Sequence, residues 1–349
     1  DKLNPLFERI KFLAIFSSNL DEYFRVRVSQ LRQMKRVEKS IRKKLALKPN
    51  RLTKQILKEV KEQQDRFGAI YTMQILPELA ANDIHIVDSE HFTKEQKDFT
   101  NTYFTDHVKK HLEIKKVDLS KENDLFLDNA MIYFLITFDN ENELGVVNIP
   151  VDECGRFVYF EHGKNMLTYL DEIVRSELPC LFPKDNITGI YEIKLSRDAE
   201  LYIEDQYEGV LAEKIYESLK QRTDGQPTRL LYDAAMPKAV QKKLRHLLHL
   251  GKIDMMPGGK YHNFKDFLSL KDPTNNPELH FGEHPPIAHK ILENSTDYFK
   301  SIKEKDQLVH FPYMSFQYVE RFLDQAVKDD HVTHIKISLY RVADNSPLT

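Results

Sequence analysis

The run Ser17-Ser18-Asn19-Leu20-Asp21-Glu22 gathers polar side chains inside a stretch whose apolar residues otherwise recur at helical spacing. Asn19 carries both a donor and an acceptor, so it could read the edge of a nucleobase or hold a phosphate oxygen. Propensity offers a plainer use for the same residues, a helix N-cap or a break, because Ser, Asn and Asp favour those positions. A second cluster, Pro257-Gly258-Gly259-Lys260-Tyr261-His262-Asn263-Phe264-Lys265, joins a two-glycine turn to lysines, a histidine and aromatics. Consecutive amides in such a turn can form an anion nest, although the spacing is not that of a GxxxxGK[ST] loop and a structural turn explains it as well. Arg341 closes a strand-like segment, where ligands gather in open α/β sheets, and its guanidinium could hold two phosphate oxygens or simply pair with Asp344.

Charge is most uneven between Arg25 and Lys48, where ten basic residues, among them Arg32, Lys35 and Arg36, meet the single acid Glu38. Such a stripe would draw a phosphate polymer over a Debye length of roughly 8 Å, or equally be a solvated helix face. It has no interleaved aromatics for stacking on single-stranded nucleic acid. His331 and His334 have an i, i+3 spacing, but on a strand they would face opposite ways and share no metal. In the His-x-Lys triplet His107-Val108-Lys109, Ile114 stands where a phosphate-transferring His-x-Lys-x4-Asp pattern needs an acid, so His107 is expected on a helix surface.

These groups need more than one core to position them, since 349 residues exceed one ordinary domain. With 51 Lys+Arg against 54 Asp+Glu, the net charge of -3 gives no global polyanion signal, so any basic site is local. Cys154 and Cys180 stand in unrelated contexts with no zinc-site spacing. The longest apolar stretch, Ala130 to Phe138, is too short to span a membrane, and the start has no signal-peptide pattern. The chain reads as cytoplasmic, with a peripheral position at the inner membrane face left open.

From Pro5 to Ala81 the periodicity predicts two long helices joined near Pro49 and Asn50. Strands are expected at Ala130–Phe138, Gly145–Ile149, Arg156–Phe160, Gly189–Leu195 and Arg229–Tyr232, with helices at Thr168–Leu178 and Val210–Lys220. After Ile287, Ser315 could cap a helix through Lys328, followed by a strand over Thr333–Tyr340. Both ends read as cut inside elements, so the chain is expected to be a fragment.

Taken in order, three blocks resemble the polyphosphate kinase family. Asn4-Pro5-Leu6-Phe7-Glu8-Arg9 through Ser18-Asn19-Leu20-Asp21-Glu22-Tyr23-Phe24 is similar to its opening helical motif. Gly258-Gly259-Lys260-Tyr261-His262-Asn263-Phe264 is similar to its middle-domain signature. Phe311-Pro312-Tyr313 with Ile335 to Arg341 is similar to the entry of its first catalytic domain.

The resemblance implies a multidomain α and α+β protein. Residues 1–81 would be a helical N-domain, 82–286 an α+β head domain used in dimerisation, and 287–349 the start of a phospholipase D-like α/β catalytic domain. It implies reversible transfer of the terminal phosphate of ATP to inorganic polyphosphate through a phosphohistidine, with Mg2+ as cofactor, ATP/ADP and polyphosphate as ligands, and a homodimer or homotetramer. Nucleic acid is not an expected partner. Asn19 would contact ATP, and Arg341 would serve the magnesium and phosphate site through phosphate oxygens, because arginine cannot ligate a cation. Arg32, Lys35 and Arg36 would meet polyphosphate. The catalytic histidine is expected beyond Thr349, leaving the fragment inactive alone. The rival reading is a non-catalytic scaffold that binds nucleic acid or a partner through its basic helix.

Overall fold

The computed structural model describes residues 2–34, 48–121, 125–161, 165–198, 227–338 and 346. They fall into two compact units, Asp1–Phe281 and Gly282–Thr349. In the first, helix α1 (Leu6–Tyr23) buries Leu6, Phe7, Ile10 and Ala14, whose spacing places them on one face. Pro5 precedes it, and the carbonyl of Pro5 accepts the amide of Arg9 at 3.1 Å. The helix runs unbroken through Ser17 to Glu22, so the cap or break suggested by those residue types does not occur. A wider π turn follows at Phe24–Val28, then α2 (Ser29–Gln33).

Helix α3 (Pro49–Ile70) begins on Pro49, whose missing amide costs nothing in a first turn. Pro49 and Asn50 therefore open the helix rather than form its connection. After a π turn at Tyr71–Ile75 comes α4 (Leu76–Ala81). Tyr71, Ile75 and Leu79 pack with the inner face of α1 and with Leu167, Tyr169, Phe267 and Leu270 of the following region. The helical segment thus shares a core with the α+β segment that succeeds it.

That region carries β1 (His85–Ile86), α5 (Lys94–Tyr103), β2 (Ile114–Asp118), β3 (Ile132–Phe138), β4 (Glu143–Ile149) and α6 (Val151–Cys154). Next come β5 (Phe157–Tyr159), β6 (Met166–Tyr169), α7 (Leu170–Leu181), β7 (Ile187–Arg197), β8 (Pro227–Asp233), α8 (Lys238–Leu247) and β9 (Met255–Gly258). Six strands form one sheet in the order β2-β4-β3-β7-β8-β9, antiparallel except for the parallel pair β8–β9. A small sheet, β1-β6-β5, stands beside it. All five expected strands are present within a few residues of their expected ends. The expected helix at 168–178 gives its first residues to β6. The helix expected at Val210–Lys220 lies outside the described residues.

The large sheet is covered on both faces, because β3 sends Tyr133 and Leu135 to one core, with Leu244 and Leu247 of α8. It sends Ile132, Phe134, Ile136 and Phe138 to another, with Ile173, Val174 and Leu178 of α7. In register, Phe134 lies opposite Val147 of β4 and Glu192 of β7, so Glu192 belongs to the α7 face.

The second unit holds α9 (Tyr298–Glu304) and α10 (Gln317–Lys328), with Leu292, Tyr298 and Tyr318 as its core. The Ser315 hydroxyl accepts the amide of Gln317 at 3.2 Å, close to the expected cap. Residues 333–338 form no strand, contrary to expectation, since a strand needs a paired neighbour and this segment has none among the described residues. No described helix is long and apolar enough to cross a membrane.

Candidate functional site

Strand β7 alternates: Tyr191, Ile193 and Leu195 face one core, while Glu192, Lys194 and Ser196 take the other face. A polar face on an antiparallel strand normally meets water, yet Glu192 is fully buried and Lys194 is 2% exposed. Helix α1, α7 and the loop after β9 cover it, and each supplies a partner. Lys194 Nζ donates to Asp21 Oδ2 of α1, and to Asn263 Oδ1 at 2.6 Å. Arg229 of β8 places Nη1 3.5 Å from the other Asp21 oxygen and lays its guanidinium over the Phe24 ring, 4.4 Å from the centroid. One carboxylate therefore serves two buried cations. Burial pulls the Lys194 ammonium below its usual range against the pull of Asp21, and draws Arg229 down to about 10. Asn263 holds φ at 59°, a left-handed conformation that Asn tolerates, and its amide nitrogen reaches both Asp266 oxygens at 3.0 and 3.1 Å.

A second knot lies behind the first. Arg156, 3% exposed, sets Nε 2.8 Å from Asp171, Nη2 3.7 Å from Glu192 and Nη1 3.3 Å from Asp266. Burial alone would lower the pKa of this guanidinium, but the three carboxyls raise it. Burial pushes the Glu192 carboxyl well above its usual 4.5, with Asp171 adding to the rise. Glu192 Oε1 accepts the amide of His262 at 2.5 Å. Burial, then Lys194, Arg156 and Arg229, hold the His262 ring well below 6.5 and therefore neutral. Burial would also raise Glu172 of α7, yet Arg175, the hydroxyl and amide of Ser89, and Lys260 hold it at about 2.

In front of these charges a cavity of about 510 Å3 opens between α1, α3 and the loop 257–264. Ser17, Leu20 and Asp21 line it from α1, Phe67 and Gly68 from α3, and Gly258 to Phe264 from the loop. The structure thus brings two of the sequence clusters together. It does not bring Asn19 with them: that residue is exposed and, by helical geometry, lies on the face of α1 turned away from the cavity. The His262 amide that an anion nest would offer is already taken by Glu192. Lys35, Arg36 and Arg341 lie outside the described residues. Arg32 falls in α2, with its side chain outside the described atoms.

At the start of the basic run, Arg25 meets Glu22 at 3.4 Å, while Arg27 is exposed. His107 is exposed on a helical turn, as expected. His331 and His334 make only local contacts, to Asp329 and Thr333. Among the described residues no three His, Cys, Asp or Glu side chains converge on a position that could hold a metal. Sequence reasoning missed Lys194, Arg229, Arg156 and Glu192. The one available signal was Glu192-x-Lys194 within an apolar strand, which reads by default as a solvent face.

Three family models match the chain in sequence order. They are the polyphosphate kinase N-terminal domain over residues 1–87, its middle domain over 95–270 and its C-terminal domain 1 over 297–349. A polyphosphate kinase of Vibrio vulnificus strain YJ016 is 32% identical over 369 residues, covering 100% of this chain and 51% of the relative. The Escherichia coli K12 polyphosphate kinase is 31% identical over 360 residues, covering 99% and 52%. The crystal structure of polyphosphate kinase from Porphyromonas gingivalis superposes with a TM-score of 0.78 at 26% identity, over 100% of this chain and 50% of that one. The chain spans about half the length of the curated relatives it matches.

Proposed function

Because the chain belongs to the polyphosphate kinase family, we propose that the protein carrying it reversibly transfers the terminal phosphate of ATP to inorganic polyphosphate through a phosphohistidine. The ordered match of three domain models across residues 1–87, 95–270 and 297–349 is the observation that carries this reading. We assign residues 1–81 to the N-domain, 82–286 to a head domain that pairs two copies, and 287–349 to the start of the catalytic domain. None of the chain's histidines is assigned the phosphoryl-carrying role. Mg2+ would arrive with the nucleotide's phosphates, and Arg341 would bind those phosphates rather than the metal, because arginine cannot ligate a cation.

Asn19 is the proposed contact to ATP. It is exposed on α1, its side chain makes no hydrogen bond among the described residues, and Ile15 and Tyr23, one turn to either side, are 43% and 37% exposed. An exposed amide flanked by apolar surface suits the edge and face of a purine ring. Replacing Asn19 by Ala removes one hydrogen-bonding group, so KM for ATP should rise about tenfold with kcat little changed, read by steady-state kinetics. An unchanged KM removes Asn19 from the nucleotide contact.

Arg32, Lys35 and Arg36 are proposed to meet the polymer. Neutralising all three should weaken polyphosphate binding and flatten its dependence on salt. If instead the triple variant keeps its polyphosphate affinity and loses affinity for single-stranded nucleic acid, the scaffold reading of the basic run gains over this one.

A further inference from the structure

The cavity between α1, α3 and the loop 257–264 has the size of a small-ligand pocket, about 510 Å3, and it is lined by two kinds of group. Much of its wall is aromatic and apolar: Phe16 and Phe67 stack at 5.7 Å between centroids, Phe67 meets Phe264 edge-on at 4.9 Å, and Leu20 and Leu231 add to the surface. Lys61, Asp65, which pairs with Lys61 at 2.8 Å, Gln64 and Lys260 also line it. Its floor is cationic. Lys194 and Arg229, 2% exposed each, share the carboxylate of Asp21 as their one ion-pair partner among the described residues, where water is scarce. Lys194 spends two N–H bonds on Asp21 and Asn263 and keeps a third. Arg229 Nε has no acceptor among the described residues.

We propose that this cavity binds a small aromatic anion, a planar ring carrying one phosphate or carboxylate group, with the ring packed against the Phe16, Phe67 and Phe264 cluster and the anion against Lys194 and Arg229. The site is independent of the nucleotide contact proposed at Asn19, which faces the other way. Burial lowers the pKa of both cations, and an incoming anion would offset that penalty. A bare phosphate leaves the apolar walls exposed, and a neutral ring leaves the donors of Lys194 and Arg229 unused, so ring and anion are both required.

The test titrates this chain calorimetrically with 1-naphthyl phosphate, 1-naphthoate, 1-naphthol and inorganic phosphate. One of the two ring anions should bind at least about tenfold tighter than naphthol and than phosphate, and the tighter of the two assigns the anionic group. Gly68 lines the cavity on α3, and a Cβ added there meets nothing within 4 Å. Gly68→Leu improves helix propensity while filling the space, so it should melt no lower than the parent chain and lose ring-anion binding about tenfold or more. Arg229→Gln should weaken the ring anion while leaving naphthol binding unchanged. Equal binding by a folded Gly68→Leu, an affinity for phosphate or naphthol that equals that of the tighter ring anion, or an Arg229→Gln loss shared by naphthol would each overturn the proposal.

Discussion

Arg156→Met is expected to destabilise the first unit by about 3–5 kcal/mol, read as a lowered midpoint of urea unfolding. The substitution preserves most of the side chain's volume, so the loss comes from charge. Arg156 is 3% exposed and faces three carboxyl groups, those of Asp171, Glu192 and Asp266, at 2.8 to 3.7 Å. Without the guanidinium this buried acidic cluster loses its shared counter-charge and hydrogen-bond donor, which costs stability whether the cluster keeps its charge or takes up protons. Arg156→Lys should recover only part of the loss, because an ammonium cannot span three acceptors set around a planar fork. A shift below about 1 kcal/mol in Arg156→Met would mean that the cluster relaxes onto other donors.

The neighbouring pair should produce a pH response visible only when it is divided. In the folded chain burial favours the protonated form of Glu192 and the neutral form of His262. In the unfolded chain between their ordinary values of 4.5 and 6.5, the glutamate is ionised and the histidine protonated. The two shifts therefore contribute slopes of opposite sign to stability, and in the parent chain they offset each other.

Glu192→Gln leaves His262 alone, whose depressed folded pKa makes the unfolded state bind more protons. Relative to the parent chain, stability should fall as pH drops below 6.5, by about 1.4 kcal/mol per unit. His262→Gln leaves Glu192 alone, whose raised pKa makes the folded state bind more protons, so stability should fall as pH rises above 4.5 at a similar rate. Urea midpoints between pH 5 and 6 should therefore move in opposite directions in the two variants. Parallel slopes would show that the two groups do not exchange a proton balance in this way.

What could be read from the sequence follows the strength of local pattern. The run from Ile132 to Phe138 and the alternation at Arg229–Tyr232 are apolar enough to mark strands without tertiary help. Ser17 to Glu22 misled in one respect: residue types that favour caps continue a helix here, because Asp21 is engaged by Lys194 and Arg229 from distant strands. The charged layer was hidden for the same reason. Lys194 and Asp21 are 173 residues apart, and only folding shows that an alternating Glu192-x-Lys194 points into protein rather than water. Short strands such as β1 and β9 were invisible as well, since His85–Ile86 and Met255–Gly258 owe their assignment to partners in β6 and β8. The three motif blocks, by contrast, needed no geometry, and the family matches fall on the same segments.

The most direct test of the proposed activity is transfer of label. The protein that carries this chain would be incubated with γ-labelled ATP, Mg2+ and polyphosphate, and the radioactivity counted in acid-insoluble polymer. Label should accumulate in the polymer and return to ATP when excess ADP is added. Label that stays in ATP or appears only as free phosphate would contradict the account.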